Sequence, residues 1–166
     1  MGNSISQVVI GVIDWSASDK LRHAETLRKS AKDLRQNSVG IKGEARSARF
    51  AEADALDVRA RALIFAHFND GRQRTEIDLH GLFVAEARVM LSDRIKLVTD
   101  SKLPSLMVIT GQGIHSADGV SKLKPMVLEL ISKLSLSSQV TVLPDTPNKG
   151  CITLQFTYPS SQCCIQ

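Results

Sequence analysis

The sequence is poor in aromatic residues and cysteines, and it has no long apolar segment. Aromatic residues make up 4% of the 166 residues, so the 43% of hydrophobic residues must form a mainly aliphatic core. Three cysteines are too few for a disulfide framework, which favours a reducing intracellular compartment. The apolar run at residues 8–13 is too short to cross a bilayer, and no basic residue precedes it as in a secretory signal. We therefore expect a cytoplasmic globular protein, either one domain with an extension or two small units.

Positive charge is concentrated in the first half of the chain. Residues 1–75 contain 13 Lys and Arg and 9 Asp and Glu, a difference of +4, whereas residues 76–166 contain 8 of each. Proteins that bind nucleic acid neutralise its phosphates with basic side chains, so the N-terminal segment is the better candidate for such a contact. A solvated helical face would carry the same charges, and composition leaves the two interpretations equal.

Residues 20–68 show helical periodicity and are predicted to fold as a helical hairpin. The break between its helices is the glycine-containing stretch 39–43. After the break, apolar residues recur at steps of three and four, which predicts that they form the buried face of the second helix. These residues are Ala48, Ala51, Ala55, Val58, Ala62 and Phe65.

Residues 77–82 place an acid and a histidine at the end of a predicted strand. Side chains alternate along a strand, so Asp78 and His80 point to the same side. Gly81 ends the strand, and the apolar periodicity of residues 84–98 predicts a helix. Ligands bind at such strand ends in open α/β sheets, so we expect the functional site here.

A second polar loop follows the next predicted strand and leads to a second helix. The apolar run 106–109 is typical of a buried parallel strand, and the loop after it contains His115. Pro125 fits only in the first turn of a helix, which predicts a helix over about 120–134 with Ser121 as its cap. Two more strands are predicted at 139–143 and 151–156. The order is βαβαββ, which predicts an α+β sandwich with a four-stranded sheet and two helices packed against it.

Three motifs together resemble the small MutS-related (Smr) domain. They are Asp-Leu-His-Gly-Leu at 78–82, Thr-Gly-Gln-Gly-Ile-His-Ser at 110–116 and Lys-Leu-Lys-Pro at 122–125. Each motif is weak alone, but their combination and order are specific. The resemblance covers about residues 75–158. It implies a fold like the C-terminal domain of bacterial translation initiation factor three, and a nuclease or nucleic-acid-binding function. Many relatives are tied to RNA cleavage at stalled ribosomes or to DNA nicking. The preceding helices resemble the extension often found before eukaryotic Smr domains.

The resemblance implies a catalytic set of Asp78, His80 and His115. Histidine suits both proton-transfer roles of phosphodiester cleavage, and Asp78 could orient an imidazole or take a proton itself. Gln112 stands where many relatives carry Lys or Arg, so the nearby lysines would have to supply the missing charge. The expected nucleic-acid-binding residues are Gly111, Gln112, Gly113, Ser116, Lys122 and Lys124.

Other interpretations of the same residues remain open from the sequence. Asp-x-His can be a buried hydrogen-bonded pair, and Gly-x-Gly can be a tight connection. One Asp and two His could form a facial metal site, although the resemblance requires no metal, and we expect no metal or cofactor. Phe83 stands where many relatives have a polar capping residue. We expect it to pack against the N-terminal hairpin, and stacking on a base is the alternative.

Both ends of the chain carry a candidate lipidation signal. Gly2 fits N-myristoylation, and Cys163 begins a four-residue prenylation pattern. Chance matches at frayed termini would look the same. We expect a flexible N-terminus at 1–18, a helical hairpin at 19–70, the Smr domain at 75–158 and a flexible tail at 159–166.

The sequence as a whole predicts a cytoplasmic, monomeric Smr-type endonuclease that prefers RNA to DNA. Its expected partners are RNA or DNA, and ribosomes are a further candidate. The alternatives are a non-catalytic RNA- or ribosome-binding module and an adaptor tethered peripherally to a membrane through the lipid signals.

Overall fold

A computed structural model describes residues 16–113, 119–134, 136 and 138–158 of the chain. The predictions for Gly2, His115, Ser116 and Cys163 fall outside these residues. The elements in chain order are α1 (Ala17–Gln36), α2 (Gly43–Asn69), β1 (Glu76–Asp78), α3 (Val84–Asp100), β2 (Ser105–Ile109), α4 (Leu123–Lys133), β3 (Val140–Pro144) and β4 (Cys151–Phe156). None of the helices in the described part of the chain is both long and apolar enough to span a membrane.

The chain divides after Leu63 into two compact units, and α2 continues across the division. The first unit is the predicted helical hairpin. Two ion pairs show that its helices run antiparallel, because Arg35 near the end of α1 pairs with Asp54 at 2.6 Å and Arg28 pairs with Asp57 at 3.6 Å. The predicted domain limits of 19–70 and 75–158 stay a prediction.

The buried face of α2 differs from the one that periodicity predicted. Ala53 and Ala60 are completely buried, whereas Ala48, Ala51 and Ala55 are exposed. The prediction was wrong because alanines lie on every side of α2, so their spacing does not select a face. The ion pairs described above, which hold Asp54 and Asp57 to arginines of α1, lie beside the buried alanines.

The second unit contains a four-stranded mixed sheet in the order β1-β2-β4-β3. β1 and β2 are parallel, and the other two pairings are antiparallel. This confirms the predicted βαβαββ order and the α+β fold. The two domain helices contact each other, and each buries an aliphatic face. Val84 and Leu134, which periodicity also assigned to the buried faces, are 37% and 42% exposed because they lie at the helix ends. The buried residues are Ala87, Leu91, Ile95 and Val98 of α3 and Leu123, Met126, Val127, Leu130 and Ile131 of α4.

The start of α4 also differs from the prediction. The helix begins at Leu123 rather than near 120, with Pro125 in its first turn as predicted. Ser121 does not cap it, because its hydroxyl donates a hydrogen bond to the carbonyl of Thr110 at 3.3 Å. Ser121 therefore fastens the loop after β2 to the start of α4.

An acid-sensitive contact joins the two domain helices. Glu129 of α4 accepts hydrogen bonds from Lys133 at 2.6 Å and from Arg88 of α3 at 2.7 Å. These contacts lower the pKa of Glu129 from its ordinary 4.5 to about 2, with the Lys133 hydrogen bond as the largest cause. Since the folded-state pKa lies below the unfolded value, this contact stabilises the fold above pH 4.5 and is lost as the pH falls toward 2.

The wild-type protein should lose thermal stability as the pH falls from neutral to about 2. We expect Glu129→Gln to lose less stability over the same range. The effect should be small because the side chains are exposed and screened by solvent. The measurement is the melting temperature at several pH values, with Glu52→Gln on the exposed side of α2 as the control. A Glu129→Gln curve that runs parallel to the wild-type curve across this window would contradict the prediction.

Candidate nucleic-acid site

A cavity of about 530 Å³ lies where the two parallel strands end. The connection from β1 to α3 and the connection from β2 to α4 both contribute to its lining, because the carboxyl ends of parallel strands meet at the same sheet edge. The amino-terminal ends of both helices therefore border the cavity. Helix amino termini carry partial positive charge and free backbone N–H groups, which suit an anion. The lining residues are His80, Gly81, Leu82, Phe83, Val84, Thr110, Gly111, Gln112, Gly113, Ser121, Lys122 and Leu123.

Asp78 and His80 form a hydrogen-bonded pair at this edge. The Asp78 carboxylate is buried, with 5% of the side chain exposed, while His80 is 46% exposed and lines the cavity. Oδ1 of Asp78 lies 3.0 Å from Nδ1 of His80 and also accepts the His80 backbone N–H at 3.1 Å. The ring of Phe68 lies against the imidazole, with 3.9 Å between centroids and 48° between planes. These contacts fix the orientation of the ring through Nδ1.

Two further residues hold Asp78 in place, and the sequence did not identify either. Nη2 of Arg72 donates to Oδ2 of Asp78 at 3.1 Å, so the buried carboxylate is shared between a guanidinium and an imidazole. The side chain of Asn69 bonds both backbone groups of Asp78 at 2.8 Å, accepting from its N–H and donating to its carbonyl. Asn69 is the last residue of α2, so the end of this helix is bonded directly to β1. No motif in the sequence pointed to either partner.

The glycine loop after β2 is a tight connection with little room. The N–H of Gly111 donates to the carbonyl of Gly150 at 3.1 Å. Gly111 was predicted to bind nucleic acid, but its backbone N–H is already bonded to Gly150. Gly113 has φ of +81°, and a Cβ there would lie 2.2 Å from the backbone nitrogen of Ser121. Only glycine fits such a close approach. Gln112 between them is exposed and lines the cavity.

The two lysines predicted to bind phosphate lie in different environments. Lys122 is exposed, lines the cavity and occupies the position immediately before α4. Nζ of Lys124 pairs with Asp145 at 2.5 Å, so a carboxylate already balances its charge. Lys122 is thus the better placed cation. His115 and Ser116 belong to residues 114–118, which lie outside the described part of the chain.

The described residues do not bring together a metal-binding cluster. Among them, no group of three or more His, Cys, Asp and Glu side chains is arranged to hold a metal ion. The Asp78 carboxylate, which the metal interpretation requires, already bonds Arg72 and His80.

We expect Asn69→Ala to destabilise the second unit by about 1–3 kcal/mol, because it leaves two backbone groups of the buried Asp78 without their partner. The measurement is urea unfolding of the full chain, with Gln36→Ala at the exposed end of α1 as the control. Equal midpoints for Asn69→Ala and Gln36→Ala would show that Asn69 has no such role.

Comparisons with known proteins agree with the motifs. The family model of the Smr domain matches residues 77–150. The chain is 35% identical over 113 residues to "Endonuclease NBR9" of Saccharomyces cerevisiae, covering 68% of this chain and 45% of that protein. It is 33% identical over 78 residues to "Smr domain-containing protein C11H11.03c" of Schizosaccharomyces pombe, covering 47% of this chain and 38% of that protein. The chain spans less than half the length of either relative. No solved structure matches it.

Proposed function

Since residues 77–150 of this chain are an Smr domain, we propose that the protein is an endonuclease that cleaves phosphodiester bonds in RNA in preference to DNA. One relative carries the name endonuclease, which supports this class of reaction. The observation that carries the proposal is the His80 imidazole, fixed by the buried Asp78 carboxylate at 3.0 Å on the border of a cavity between two helix amino termini.

His80 acts in this mechanism as the proton-transfer group through Nε2. It takes the proton from the attacking oxygen as the new P–O bond forms, and the departing oxygen receives a proton as its P–O bond breaks. Asp78 holds the imidazole in one orientation, while Arg72 balances the buried carboxylate. His115 is the proposed second proton-transfer group, on residue type and the family motif.

In this proposal, Lys122 and the helix amino termini at the cavity bind the phosphate. Lys122 adds a full positive charge where α4 contributes its partial charge, so both favour an anion at the same place. The RNA preference follows from the nucleophile. RNA supplies its own 2′-hydroxyl next to the phosphate, so a single well-placed base can start the reaction. DNA lacks this group.

A second candidate is a module that binds RNA without cutting it. One observation favours it: within the described residues, His80 is the only imidazole that lines the cavity. The excess of +4 in residues 1–75 would then supply affinity for the phosphate backbone.

The test is cleavage of end-labelled RNA and DNA of identical sequence by the full chain, with and without EDTA. We expect RNA cleavage that EDTA does not prevent, and products that end in a cyclic phosphate. His80→Ala protein purified in the same way is the control for contaminating nucleases. RNA binding without cleavage would support the binding module. Complete inhibition by EDTA that a divalent ion reverses would replace this mechanism with a metal-dependent one.

A further inference from the structure

Phe83 is an exposed aromatic residue at a position that normally calls for a polar one. It precedes the first residue of α3, where Ser, Thr, Asp or Asn usually caps the helix. A phenyl ring cannot accept a hydrogen bond, and the helix start is satisfied differently, by Glu86 accepting the Phe83 backbone N–H at 2.9 Å. The side chain is 55% exposed, so core packing does not account for it either.

The cavity lining combines apolar side chains with polar and charged ones, among them His80 and Lys122. The connection from β1 to α3 supplies Leu82, Phe83 and Val84, and Val84 is 37% exposed. The connection from β2 to α4 supplies Gln112 and Lys122. A nucleotide has the same combination, with flat apolar base faces and an anionic phosphate.

The volume of the cavity and the requirement for stacking on Phe83 together indicate which kind of nucleotide can bind. A volume of about 530 Å³ lies within the range of small-molecule sites, roughly 300–1,000 Å³, and has room for one nucleotide. A base can stack on an aromatic side chain only when it is not already stacked between neighbouring bases. Stacking on aromatic side chains is the usual way in which proteins hold unpaired bases.

From these observations we infer that the cavity binds a nucleotide with an unpaired base, stacked on Phe83, so that the protein acts on single-stranded segments. This inference rests on the proposed function and adds the structural class of its substrate. Phe83 is three residues after His80, and both line the same cavity. The stacked base would therefore hold a neighbouring phosphate near the imidazole.

The experiment measures binding and stacking separately from cleavage. The probe is a single strand of about 12 nucleotides of DNA carrying one 2-aminopurine, whose fluorescence falls on stacking, and the comparison is the same strand in a duplex. The protein is the full chain as wild type, Phe83→Tyr, Phe83→Leu and Phe83→Ala. None of these side chains changes the cap, because none accepts the hydrogen bond that a cap residue would accept there, and melting temperatures check the fold.

We expect wild type and Phe83→Tyr to bind the single strand more tightly than the duplex and to quench the probe. Phe83→Leu and Phe83→Ala should lose about 5- to 150-fold in Kd for the single strand, with duplex binding unchanged. Leucine that binds and quenches like phenylalanine would overturn stacking, even if RNA cleavage is normal. Absence of binding to either probe, together with absence of binding to RNA, would instead overturn the proposed function.

Discussion

Replacing His80 with alanine should lower the rate of RNA cleavage by about 10²- to 10⁴-fold, the usual contribution of a positioned general acid or base. The fold should survive, because His80 is 46% exposed and its removal leaves Asp78 bonded to Arg72. The variant still contains the backbone N–H of residue 80, which donates to Asp78. The change therefore removes the proton-transfer group and little of the framework around it.

The measurement is single-turnover cleavage of labelled RNA, together with RNA binding and the melting temperature of each protein. His23→Ala is the matched control, since His23 lies on α1 in the first unit. We expect His80→Ala to bind RNA within a few-fold of wild type. Cleavage at the wild-type rate by His80→Ala would exclude His80 as the proton-transfer group and shift the role to His115 or to another mechanism.

Asp78→Asn should have the second large effect, because it should lower both the rate of cleavage and the stability of the fold. The amide has nearly the same shape as the carboxylate, so packing is preserved. However, it lacks the charge that Arg72 and the imidazole share. The amide has one acceptor oxygen instead of two, so when that oxygen faces Arg72 its NH2 group faces Nδ1 of His80. The ring then loses its fixed tautomer and orientation, and we expect cleavage to fall by about 10²- to 10⁴-fold. Loss of the charged partner of Arg72 should destabilise the fold by about 1–3 kcal/mol.

A double-mutant cycle separates the two contributions of Asp78. In the cycle of Asp78→Asn with Arg72→Met, the stability losses should be less than additive, because either change alone breaks the same ion pair. Asp93→Asn on the exposed side of α3 is the control for removing a negative charge. Additive losses would mean that Arg72 does not support Asp78. Wild-type cleavage by Asp78→Asn would mean that the buried carboxylate serves the fold alone.

The second unit was predictable because its signals are local in the sequence. Apolar periodicity marked α3 and α4, continuous apolar runs marked the strands, and Pro125 marked the first turn of α4. The predicted strand was too long, because β1 ends at Asp78 and His80 lies in the turn after it. The two side chains still meet at hydrogen-bonding distance, through the turn rather than through strand alternation. Local pattern and tertiary packing agreed wherever one face of an element was distinctly apolar.

The tertiary structure alone decided the features that depend on distant partners. Alanines surround α2, so only ion pairs with α1 and burial could select its inner face. The pairing of Lys124 with Asp145 and the use of the Gly111 amide by Gly150 both join residues at least 20 positions apart.

The support of the site by Asn69 and Arg72 was also beyond the sequence, for a physical reason. Each lies within ten residues of Asp78, but a turn separates them from the strand, and the path of that turn cannot be read from periodicity. By itself, the sequence determined which elements form and which chemical groups the site can use. The tertiary structure decided which of those groups are already occupied by a neighbour and which face the cavity, because hydrogen-bond partners and burial depend on packing between elements rather than on periodicity within them.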